Sequence, residues 1–107
     1  MAIRLSNKQR ILLEDIQASE THEHNGKKVP LYIEHITDEV QYSFNSKAER
    51  RRWLENMEER GLILIDKGYF LRLADKGAEA LAAGPAATRR DFLAEEAERQ
   101  RREEEEA

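Results

Sequence analysis

The chain has 107 residues, 39% hydrophobic and 37% charged, with no cysteine and a formal net charge of −4. That length suits one domain around one core, and the missing cysteine excludes disulfides, thiolate metal sites and a cysteine nucleophile. The negative balance argues against a nucleic-acid partner only until it is divided: residues 84–107 carry five basic and eight acidic groups, whereas residues 1–83 carry thirteen and fourteen.

The near-neutral segment clusters its basic groups most densely at Arg50-Arg51-Arg52, and what decides a binding surface is such clustering rather than net charge. The opening Met1 to Ser6 lacks the apolar run of a signal peptide, and no stretch is long enough to span a bilayer. A cytoplasmic protein with no membrane association is expected.

Ser6 precedes Gln9 by three residues, the spacing of a capping box, and Ile11, Leu12, Leu13 and Ile16 follow at helical intervals. A first helix over Asn7 to Ser19 is predicted. Thr21 to Lys28 is polar and contains the turn dipeptide Asn25-Gly26, so it is expected as a loop. Val29-Pro30-Leu31-Tyr32 reads as a short extended piece. Beyond it Ile33, Ile36 and Val40 recur at three- and four-residue spacing, which predicts a second, short helix ending near Gln41.

Asn45 or Ser46 can cap a third helix, Ser46 and Glu49 repeat the capping-box spacing, and Trp53, Leu54 and Met57 form the apolar stripe. Gly61 supplies the stop. Leu62 to Ile65, the turn Asp66-Lys67-Gly68 and Tyr69 to Leu73 then predict two β-strands joined by a tight hairpin. From Asp75 a fourth helix carries Ala78, Leu81 and Ala82 until Gly84-Pro85 ends it. After this point Thr88 and Asp91 offer a further cap, and the remainder mixes Glu, Arg, Ala and Gln with many i,i+4 charge partners, which predicts a solvated helix.

The expected fold is therefore mainly α with a small antiparallel β-hairpin: a winged helix-turn-helix over residues 1–83 followed by a charged C-terminal helix over residues 84–107. Two motifs support it. Met57-Glu58-Glu59-Arg60-Gly61-Leu62-Ile63 and Leu73-Ala74-Asp75-Lys76-Gly77-Ala78-Glu79-Ala80-Leu81 resemble the end of the recognition helix and the start of the last helix in MarR- and PadR-type winged helix regulators. The resemblance covers about residues 7–83 and implies double-stranded DNA binding, in the service of transcription regulation. Three departures stand out: Ala74 replaces the usual threonine, the hairpin is short, and Arg50 lies where these families often place an apolar residue.

Projected at 100° per residue, the third helix puts Arg50 in the stripe of Trp53, Leu54 and Met57. Arg50 is expected to snorkel or pair. Ala48, Arg52, Glu55 and Glu59 face the other way, with Lys47 and Arg51 on the shoulder, so the first half of that face is basic and the second acidic. A helix docked end-on in the major groove reads bases with its N-terminal residues, which makes Arg51 and Arg52 candidates for guanine edges. Ser46 and Lys47, at the helix N-terminus, and Lys67, at the hairpin tip, are candidates for phosphates.

The alternative is a winged helix used as a protein-assembly module without direct DNA reading, because Glu55, Glu58 and Glu59 would repel phosphates in a groove. A third class, a metal site on His22, His24 and His35 with Glu23 and Glu34, has unspecific spacing, and no nucleophile–base pair or glycine-rich phosphate loop accompanies it. No enzyme, cofactor or metal is expected. Trp53, Tyr69 and Phe70 are expected to pack in the core and hairpin rather than to stack nucleobases. A recognition helix reads only a few base pairs, so a homodimer is expected, with the first helix and the tail around Phe92 and Leu93 as its candidate surface.

Overall fold

The computed structural model of the protein describes residues 5–84 and Arg101. Helix α1 spans Asn7–Glu20, one residue longer than expected, and starts as its sequence dictates: the Ser6 hydroxyl accepts the Gln9 N–H and the Gln9 side chain accepts the Ser6 N–H. Two of the amides left without intrahelical partners at a helix start are thereby satisfied. Its Leu12, Leu13 and Ile16 are completely buried, each such side chain stabilising the fold by about 1.5–3 kcal/mol relative to exposure.

The expected loop after α1 is a miniature hairpin instead, β1 (Glu23–His24) paired with β2 (Lys27–Lys28). Asn25 and Gly26 both take positive φ, 53° and 75°, the two-residue turn whose twist matches antiparallel strands. All of Glu23 to Lys28 is exposed, so no apolar alternation marked these strands in the sequence. Beyond them β3 (Leu31–Tyr32) does more than lead into the next helix. It pairs with β5 (Phe70–Leu73), Leu31 opposite Leu71 and Tyr32 opposite Phe70, so the anticipated two-stranded hairpin is the larger part of a three-stranded sheet.

The anticipated helix over Ile33 to Gln41 is two pieces: a 3₁₀ turn at Ile33–His35 and the one-turn helix α2 at Asp38–Gln41. The break has a cause. Thr37 gives both its N–H and its hydroxyl to the Asp15 carboxylate on α1, at 2.9 and 2.8 Å, which holds Ile36 and Thr37 extended while Ile33, Ile36 and Val40 still reach the core. A turn plus a helix satisfies the same three- and four-residue spacing as one helix.

Helix α3 (Lys47–Glu59) buries Leu54 and Met57 and ends at Gly61, whose φ of 76° is left-handed; Gly61 N–H bonds to the Glu58 carbonyl and Leu62 N–H to that of Met57, a Schellman stop. Strands β4 (Ile63–Asp66) and β5 (Phe70–Leu73) form the expected hairpin, and the sheet order is β3-β5-β4. Leu31, Ile63 and Leu71 face the core, and their neighbours Tyr32, Leu64, Phe70 and Arg72 face away, the period-2 pattern of a half-buried sheet.

Helix α4 (Asp75–Ala83) closes the core with Ala80 and Leu81. Its N-cap is Ala74, which offers no side-chain bond to the helix start, the local consequence of the missing threonine. Gly77 lets the helix approach closely, since a β-carbon there would collide with the Leu62 carbonyl. The C-terminal end is held by Arg10 of α1, itself buried, which donates to the Leu81 carbonyl at 3.3 Å. The charged helix expected over residues 84–107, with Phe92 and Leu93, lies outside the described residues except for Gly84 and Arg101. The described chain is thus helices around one core, flanked by two small antiparallel sheets, and none of its helices is long and apolar enough to cross a membrane.

Candidate nucleic-acid interface

The start of α3 is fixed from three sides. Ser46 is its N-cap, exposed, with its Oγ accepting the Glu49 N–H at 3.1 Å; the Glu49 carboxylate accepts the Asn45 N–H at 2.8 Å, so the reciprocal half of the capping box is displaced by one residue. The preceding turn is clasped to α1 by Lys8, whose ammonium lies 3.7 Å from the Phe44 ring centre and 5.1 Å from that of Trp53, within reach of a cation–π attraction. Trp53 therefore packs, as expected, on the partly buried margin of the core.

The three consecutive arginines have three different environments. Arg50 points inward: its guanidinium meets Glu34 at 3.1 Å and Gln41 Oε1 at 2.8 Å, and the side chain is only 11% exposed. Gln41 in turn donates to the Ile33 carbonyl, so Arg50 ties α3 to the turn and short helix before it. By hydrogen bond and by charge the Arg50 guanidinium holds Glu34 below the usual carboxylate range, with Lys47 adding a smaller pull. Arg50 is thus a pairing residue, one of the two alternatives its place in the apolar stripe allowed.

Arg51, on the shoulder of the outward face, is half-buried. Its guanidinium lies against the β4–β5 turn, where a β-carbon on Gly68 would sit 3.8 Å from it. The hairpin turn thus meets the shoulder of α3 that Arg51 occupies. Arg52 and Lys47 are exposed. Lys67 is exposed at the tip, with φ at 55°, a left-handed conformation that costs a non-glycine residue about 1–2 kcal/mol. Ser46, Lys47, Arg51 and Arg52 thus share the first turns of one helix, and Arg51 and Lys67 flank the same turn residue.

The acidic half of the helix is less forbidding than its sequence. Glu58 turns to the sheet, where its carboxylate accepts the Ile65 N–H at 2.7 Å; Glu55 and Glu59 remain exposed.

No protein-family model, curated protein or solved structure matches this chain. The site rests on its own geometry.

The histidines do not converge. His22 and His24 belong to the first hairpin region, His35 lies edge-on to Tyr32 at 5.3 Å, and no group of three or more metal-ligating side chains comes together among the described residues. Tyr69 and Phe70 pack on the hairpin rather than in the core: with Tyr32 they form an aromatic cluster on the outer side of the sheet, ring centres 4.8 to 6.2 Å apart. Period-2 alternation from buried Leu71 already turns Phe70 outward. Tyr42, in the turn before α3, is 83% exposed; no spacing in the sequence singled it out.

Proposed function

We propose that this chain is a winged helix-turn-helix protein that binds double-stranded DNA, with α3 as recognition helix and the β4–β5 hairpin as wing. The observation that carries the reading is the sorting of charge at the start of α3. Arg50 and Glu58 are consumed by internal bonds, while Lys47 and Arg52 remain exposed and the half-buried Arg51 lies beside the wing tip. Arginine can give two hydrogen bonds to guanine O6 and N7, so Arg51 and Arg52 read base edges. Lys47 and Lys67 contact phosphates, which position the protein without reading sequence. Ser46 joins them: its oxygen is taken by Glu49 N–H, but its O–H proton is free to donate to a phosphate oxygen. One such helix reads few base pairs, so the protein acts as a homodimer in transcription regulation.

Single substitutions Arg51→Ala and Arg52→Ala test the reading by selection of bound sequences and equilibrium binding. Arg52→Ala leaves stability within about 0.5 kcal/mol, since the side chain is solvated, and loss of a base-reading arginine weakens specific binding by about 1–3 kcal/mol and relaxes preference at one base pair. Folded variants that bind every duplex as the parent does would overturn it.

A second reading, a protein-assembly module, draws on the exposed Tyr42 and on Leu64, 53% exposed on the outer sheet face. It predicts a protein partner lost on substitution of these two residues, with no effect of Arg52→Ala.

A further inference from the structure

The two hairpins enclose a groove of about 590 Å³. Pro30 and Phe70 contribute apolar walls, and Lys27, Lys28, Lys67 and Arg72 bring four positive charges to its lining. Among the described residues Asp66 is the single carboxylate that lines it, and it is partly answered by Arg72 Nε at 3.9 Å. Glu23, the register partner of Lys28, is not part of the lining. The groove is therefore a concentrated positive site on a chain whose formal charge is −4.

It is also built rather than incidental. Arg72 crosses from the second hairpin to the first, donating to the Lys28 carbonyl at 3.4 Å, and the base of the first hairpin is anchored by Ser19 Oγ to the Val29 carbonyl and by Val29 N–H to the His22 carbonyl. Lys67 belongs both to this groove and to the turn against which Arg51 lies, so the basic surface runs on from the start of α3 across the wing tip.

We infer that the groove between the β1–β2 and β4–β5 hairpins holds the phosphodiester backbone of the duplex that α3 reads, the first hairpin acting as a second wing. Charge complementarity selects the occupant: lysines on a groove with apolar walls suit a chain of phosphates joined by apolar sugar faces, and such contacts release counterions from the duplex. The inference rests on the proposed DNA binding and extends it by a contact outside the helix-turn-helix.

The test is binding of a random-sequence 40-base-pair duplex over a salt series, with the full chain, by Lys27→Ala/Lys28→Ala and by a control of equal charge change outside the groove, Arg60→Ala/Lys76→Ala. Circular dichroism checks that both fold. Each lost phosphate contact flattens the slope of log K against log salt by about 0.9, so the groove variant has a slope shallower than the parent by one to two, and the control keeps the parental slope. If the groove variant matches the control while Arg52→Ala still relaxes base preference in selection of bound sequences, the second wing is wrong and the recognition helix stands. If the parent binds no duplex at all, both fall together. Retention of a poly-glutamate peptide that is lost in the groove variant, with duplex binding unchanged, would assign the groove to an acidic protein segment and overturn the inference.

Discussion

The two hairpins each turn through two consecutive residues at positive φ, in a two-residue loop in the first and a three-residue loop in the second, and to different ends. In the first, Asn25 and Gly26 take positive φ, the residue pair that this turn favours, and the strands on either side are wholly exposed. In the second, Lys67 stands where Asn stands in the first, also at positive φ, and the strands carry Ile63 and Leu71 into the core. A hairpin without a core needs the best turn residues to exist. One whose strands are buried can place a lysine at its tip against local preference, and conformational strain of this kind gathers at functional positions.

Removing core support from the second hairpin has the largest effect. Leu71→Ala, at a fully buried position in the middle strand of the sheet, lowers unfolding stability by about 2–5 kcal/mol in denaturant titration. A loss under 1 kcal/mol would mean that the sheet is not what fixes the second hairpin. The first hairpin responds to its turn instead. Gly26→Ala meets open space but keeps a φ of 75°, so the cost is about 1 kcal/mol, and hydrogen exchange shows it as faster exchange at the His22–Val29 pairing with little change at Leu71. Global loss of protection would dissolve the distinction between the two hairpins. The smallest effect has the opposite sign: Lys67→Asn relieves the left-handed lysine and raises stability by up to about 1 kcal/mol, yet weakens duplex binding. A variant that gains both stability and affinity would remove Lys67 from the proposed interface.

The same contrast explains what could be read in the sequence. Helices α1, α3 and α4 and the second hairpin follow from caps, apolar spacing and glycine stops, because each places a face in the core. The first hairpin buries nothing, so only Asn25-Gly26 hinted at it, and the pairing of β3 with β5 depends on a contact across 40 residues, Leu31 with Leu71. In the candidate interface, the positions of Ser46, Lys47 and Arg52 followed from helix geometry. The partners of Arg50 and Glu58 did not, since Glu34 and Ile65 come to them through chain turns that no helical projection contains. Nor did the approach of Arg51 to Gly68, a contact between elements separated in the sequence.

The central claim is that the outer side of α3 and the wing meet duplex DNA, and the most direct measurement is equilibrium binding of the parent protein to random-sequence duplex DNA across a salt series. With Lys47 and Lys67 on phosphates the affinity falls linearly in log salt with a slope of about −2 or steeper. A folded protein whose binding is undetectable at low salt, or independent of salt, would contradict the claim.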